Sequence, residues 1–201
     1  RNYRTLVHMK KELGKTQSQS YMLYTEYKRP VKEFFWTLML NHFNIRQDHL
    51  MHTEYQDNQF KLTSLEHPHR TENYQARSLI SKGFYSWNLK ASLEAVYQYG
   101  KGLQAGQGIV QPYENHWLNL KPKLNWNPTH WLTASYQAEI GCSRTIALPT
   151  LWEVQQKLSL SIGNDTWNLN LNGEHYRNEL SPNEYKETWL ADIGLQYNTG
   201  K

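Results

Sequence analysis

Residues 165–177 read Asp165-Thr166-Trp167-Asn168-Leu169-Asn170-Leu171-Asn172-Gly173-Glu174-His175-Tyr176-Arg177. Successive side chains of an extended strand point to opposite faces. Trp167, Leu169 and Leu171 therefore share one face, and Asn168, Asn170, Asn172 and Glu174 share the other. The stretch separates an apolar surface from a wet one.

The pattern recurs along the chain. Leu89, Ala91, Leu93, Ala95 and Tyr97 oppose Asn88, Lys90, Ser92, Glu94 and Gln98. Leu118, Leu120 and Leu124 oppose Asn119, Lys121, Lys123 and Asn125, and Leu158, Leu160 and Ile162 oppose Lys157, Ser159 and Ser161. Similar alternation marks 130–142 and 186–198. Repeated dyad segments with turn residues between them predict an antiparallel β-barrel or β-sandwich. The expected strands are 17–29, 32–46, 71–82, 86–99, 115–126, 130–142, 152–163, 165–177 and 186–198, about nine. Phe34 to Leu40 is nearly continuous in apolar residues and reads equally as a strand packed on both faces or a short helix. Asn172-Gly173 is a hairpin-type dipeptide, but alternation runs unbroken across it, so the turn is expected at Gly163-Asn164-Asp165.

Composition narrows the class. The 201 residues suffice for one large β domain. The 14 Tyr and 8 Trp far outnumber the 5 Phe; rings with polar tips collect at membrane interfaces and in glycan-binding domains. Mean hydropathy is well below zero, which excludes a helical membrane protein but suits a barrel, where every second residue is polar. The single cysteine, Cys142, excludes an internal disulfide. A modest net charge of +4, with scattered basic residues, points away from nucleic acid. No Gly-x-Ser-x-Gly elbow or other catalytic spacing appears, so no enzyme and no cofactor are expected. The chain opens Arg-Asn-Tyr-Arg, so a signal peptide is either removed or lies outside this stretch.

The connections sort by length. Short turns are expected at 28–32, 81–85, 127–130 and 163–165, and longer loops at 45–72, 100–115, 143–151 and 178–186. Short turns on one side and long loops on the other characterise outer-membrane barrels. Phe34, Phe35, Trp36, Tyr85, Trp87, Trp126, Trp131 and Trp167 border the short turns, as a membrane-interface girdle would. His49, His52, His67 and His69 fall in or beside the 45–72 segment, at spacings too irregular to define a metal site.

Several segments resemble one family. Tyr27-Lys28-Arg29-Pro30-Val31-Lys32-Glu33-Phe34-Phe35 is similar to a turn of TonB-dependent outer-membrane receptors, in the group with a carboxypeptidase-like regulatory domain. Ile80–Phe84, Trp117–Lys123 and Gly173–Leu180 resemble further pieces of that barrel, in the same order. The resemblance implies residues 1–201 are a partial outer-membrane barrel domain from its C-terminal part, without plug, TonB-binding box or terminal strand. It implies import of a nutrient such as a metal chelate, vitamin, glycan or peptide. The implied partners are outer-membrane lipids, TonB acting through parts outside this chain, and an outer-membrane lipoprotein or other subunit. Lys90, Glu94, Lys121, Lys123, Asn168, Asn170, Asn172 and Glu174 are the candidate ligand-facing residues of the lumen. The alternatives are a passive outer-membrane barrel or assembly component, and a soluble glycan-binding β-sandwich. Small residues on the apolar face (Ala91, Ala95, Ala134, Ala138, Ala191) favour lipid, because a packed core would leave cavities there.

Overall fold

The computed structural model describes residues 5–7, 14–56, 59–106, 109–146 and 148–199. A three-residue strand β1 (Thr5–Val7) precedes nine long ones: β2 (Thr16–Arg29), β3 (Phe34–Gln56), β4 (Gln59–Phe84), β5 (Leu89–Gly106), β6 (Ile109–Thr129), β7 (Leu132–Thr145), β8 (Leu151–Gly163), β9 (Trp167–Ser181) and β10 (Glu184–Tyr197). The nine form one antiparallel sheet in which chain neighbours pair, and the sheet is open. Short parallel pairings join β1 to β4 and the far ends of β3 and β5. The all-β expectation and the strand count hold. No helix among the described residues is long and apolar enough to cross a membrane.

The sheet divides into two compact units. One comprises residues 1–23, 40–75 and 98–116. The other comprises 24–39, 76–97 and 117–201.

Register in the second unit follows the dyad pattern. Leu160 lies opposite Leu171 and Leu171 opposite Ile193, while Ser159, Asn172 and Asp192 form the adjacent row on the other face. Asn172-Gly173 sits inside β9, and the turn falls at 164–166. There Asn164 Oδ1 accepts the Thr166 and Trp167 N–H groups at 3.0 and 3.1 Å, an Asx-type turn. The ambiguous 33–46 segment is strand throughout from Phe34.

Two expectations are corrected. The segments 45–72, 100–115 and 178–186 are not long loops: β3 continues to Gln56, β4 starts at Gln59, β5 and β6 extend to Gly106 and from Ile109, and only Pro182 and Asn183 separate β9 from β10. The charges that read as loop solvation are partly cross-strand partners, as in the 3.2 Å Lys101–Glu72 pair. Only 143–151 keeps a loop, after Thr145.

The second correction moves a turn. It lies at Tyr85–Asn88, not 81–85. Asn88 takes the left-handed conformation (φ 48°), which suits its short polar side chain. Gly83 stays in β4 because Glu33 leans over it; a Cβ there would lie 2.8 Å from Glu33 Cβ and overlap the carboxylate. Glu33 is itself left-handed (φ 45°), closing a matching 3-10 turn at Pro30–Lys32. Its carbonyl accepts a hydrogen bond from the Gly83 N–H at 3.0 Å, and its carboxylate accepts one from the Tyr85 hydroxyl, which raises the Tyr85 pKa.

Candidate functional site

In the second unit the polar face carries all eight sequence-predicted residues, at the register positions that alternation assigns. Cross-strand ion pairs tie neighbouring strands: Arg77–Glu94 at 3.0 Å joins β4 to β5, Lys121–Glu139 at 2.8 Å joins β6 to β7, and Lys157–Glu174 at 2.6 Å joins β8 to β9. Glu139 also accepts a bond from buried Asn119 at 2.8 Å, and Glu174 one from the Tyr176 hydroxyl at 2.6 Å. Asn168 contacts Ser161 at 2.8 Å and Asn170 at 3.5 Å. Lys90 and Lys123 are exposed and form no ion pair among the described residues. Glu94, Lys121 and Glu174 thus serve cross-strand register. At this exposure water screens such pairs, so they set register more than they add stability.

The other face of the same unit is apolar and uncovered. On β9 and β10 it runs from Trp167 and Tyr197 through Leu169, Leu195, Leu171, Ile193, Gly173 and Ala191 to His175 and Trp189. Ile193 is 78% and Leu195 75% exposed. Among the described residues, the buried hydrophobics are Leu50, Val96 and Ala138 alone. Free Cys142 lies on this face opposite Trp152.

This band is bounded at both ends. His175 stacks on Trp189 with ring centroids 4.0 Å apart. Its Nε2 lies 2.9 Å from Glu187 and its Nδ1 3.4 Å from the Gln156 amide nitrogen; a ring protonated on Nε2 satisfies both. At the turn end Phe84 stacks on Trp87, and Trp126 Nε1 donates to the Trp87 carbonyl at 3.1 Å. Near the short turns Tyr85, Trp87, Trp126, Trp131 and Trp167 are exposed.

The first unit holds a second aromatic row that the sequence reading did not anticipate. Tyr21, His42, Tyr74, Tyr99 and His116, on five successive strands, meet in turn at centroid distances of 6.0, 4.3, 6.0 and 4.7 Å, the first three pairs stacked and the last tilted. A charged belt borders it. Arg70 contacts Asn44 at 2.7 Å and Glu72 at 2.8 Å. The Lys101 hydrogen bond and the Arg70 charge hold the Glu72 carboxyl below its ordinary pKa, and Glu72 in turn raises that of Lys101. His42, in phase with Trp36 and Leu40, was the available signal.

A hollow of about 460 Å³ opens in the same unit, lined by Phe43, Asn73, Gln75, Gln98, Gly100, Tyr113 and Asn115 among others. None of its lining residues is charged. The sequence hides it, because the glycines and charges of 100–115 read as a loop.

As possible metal ligands, the described histidines lie apart from one another's side chains. Among the described residues no three His, Cys, Asp or Glu side chains converge to hold an ion. His67 and His69 share a face of extended β4, but His69 Nδ1 meets the His67 carbonyl at 3.0 Å. The His52 side chain lies outside the described residues.

The chain therefore falls in the class of single-layer, open antiparallel sheets with one apolar and one polar face. No protein-family profile matches the sequence, and no curated protein matches it.

Proposed function

We propose that the chain is a section of the wall of a transmembrane β-barrel in an outer membrane, and that the barrel imports a nutrient by a TonB-dependent cycle. The observation that carries the barrel reading is the uncovered apolar face with aromatic residues at both ends. On β10 the band spans eight residue steps, Trp189 to Tyr197. At about 3.4 Å per step it measures about 27 Å along the strand, and a tilt of about 40° leaves about 20 Å of height. Such barrels carry an apolar band of about 25 Å between aromatic girdles. A sandwich would cover this face with a second sheet about 10 Å away.

The edges support the same reading. Every residue of β2 and of β10 is exposed. Unpaired strand edges in lipid cost several kcal/mol per backbone group, so both edges pair with further strands in the working protein. The import step is supported by the four sequence stretches that resemble TonB-dependent receptors, and the polar face supplies a water-lined interior. The eight candidate residues then act as lumen wall, with Lys90 and Lys123 the charges available to a ligand or plug.

The test is outer-membrane fractionation of cells expressing the full-length protein, followed by gel migration with and without boiling. Heat-modifiable migration in the outer-membrane fraction supports the barrel. A soluble protein with unchanged migration overturns it. Loss of nutrient uptake on removing TonB tests the import step separately.

A further inference from the structure

We propose that the hollow in the first unit is a binding site for a neutral carbohydrate, formed by Phe43, Asn73, Gln98, Tyr113 and Asn115. The proposal deepens the import reading and rests on it for access from outside the cell.

Four observations lead there. First, Phe43 is 42% exposed on a face that also presents Asn73, Gln98 and Asn115. An apolar ring left open among amides is a platform awaiting an apolar surface, and the C–H face of a sugar ring offers one beside its hydroxyls. Second, Asn73, Gln98 and Asn115 form no side-chain hydrogen bonds among the described residues. Each amide has two donors and one acceptor oxygen, a set that matches neighbouring hydroxyl groups. Gln75 is held by Asn41 at 3.1 Å and shapes the wall.

Third, two glycines on β5 let the Tyr113 and Asn73 side chains lie close on the backbone, which fixes both side chains at the edge of the hollow. A Cβ on Gly102 would lie 2.9 Å from Tyr113 Cε1 and 3.0 Å from Thr71 Oγ1, and one on Gly100 would lie 2.7 Å from Asn73 Oδ1. The Tyr113 ring therefore lies over bare β5 backbone. A ring covering a cross-strand glycine is also a device for stabilising a sheet, but that role asks nothing of the open amides or of Phe43. Fourth, the lining is neutral. A site for a phosphate, carboxylate or cationic peptide would present a complementary charge. The volume of about 460 Å³ falls within the range of small-molecule sites.

The test uses the full-length protein in a detergent without a sugar headgroup, titrated calorimetrically with maltose, cellobiose and N,N′-diacetylchitobiose. Binding of at least one, weakened about tenfold by Tyr113→Ala and by Asn115→Ala, is expected. Asn115→Asp preserves shape and guards against a folding defect; it too weakens binding, by spoiling the donor set. No binding at millimolar sugar, or a dissociation constant unmoved by all three variants, overturns the site. Binding of neutral dipeptides in preference to every sugar overturns the ligand class. Migration with and without boiling on the same preparation separates the two claims: a heat-modifiable barrel that binds no sugar sinks the site and leaves the wall reading standing.

Discussion

Two rows of β8–β10 lie one residue apart and teach opposite lessons. Leu160, Leu171 and Ile193 stand side by side with no polar group among them, and Ser159, Asn172 and Asp192 stand side by side in the next register step. The backbone is the same, and the pleat alone decides which face a residue takes. Neither row is covered by a second layer among the described residues. On the wall reading proposed above, the apolar row meets lipid and the polar row meets water.

The largest break in that comparison comes from a charge on the apolar row. Leu171→Arg should cost about 2–4 kcal/mol in a bilayer, whereas Asn172→Arg should stay within about 0.5 kcal/mol. Urea titration of the full-length protein folded into vesicles reads both. Equal costs would mean the two faces share one solvent.

Glycine replacements probe the backbone next. A Cβ on Gly163 would lie 2.6 Å from Asn168 Cα and would overlap the Trp167 carbonyl, so Gly163→Ala should destabilise by about 1–3 kcal/mol. At Gly173 a Cβ meets nothing within 4 Å, and Gly173→Ala should be neutral or gain about 0.5 kcal/mol. The same titration compares them. If the two behave alike, the hairpin geometry at 163–167 is wrong.

Smaller effects belong to the polar face. Lys157→Gln should cost less than Leu171→Arg or Gly163→Ala, since Lys157 is half exposed, and the loss should shrink in high salt. A double-mutant cycle with Glu174→Gln isolates the pair.

The smallest effect is one of pH. The Glu72 pKa is lower folded than unfolded, so its contribution is complete above the ordinary glutamate value of about 4.3 and is lost as pH falls through the folded value. Wild type should therefore lose stability more steeply than Glu72→Gln below about pH 4. Parallel acid profiles would remove Glu72 from the account.

Strands were legible wherever alternation was clean, as in 165–177 and 86–99. Their lengths were not. In 45–56 and 59–72 charged and histidine side chains occur on both phases, which masks a dyad pattern that neighbouring strands still enforce by backbone pairing. Turn positions were misread where glycine served close approach, at Gly83, and where asparagine supplied the left-handed residue, at Asn88. Parity written in the sequence assigns all eight candidate residues to the polar face. Their ion pairs were not legible, because partners such as Arg77 and Glu139 depend on register. The hollow around Phe43 and Tyr113 was illegible for the same reason: it assembles from four strands, with two glycines whose meaning appears only beside Tyr113.

The central claim is that one face of this sheet meets lipid and the other water. The most direct test places a spin label at each position from 167 to 178 in the full-length protein in bilayers, with native cysteines replaced, and measures collision with oxygen and with a water-soluble nickel chelate. The account predicts a period of two, with oxygen favoured at 167, 169, 171 and 173 and nickel at 168, 170, 172 and 174. Nickel access on both faces, or an odd-numbered face closed to both reagents, would contradict it.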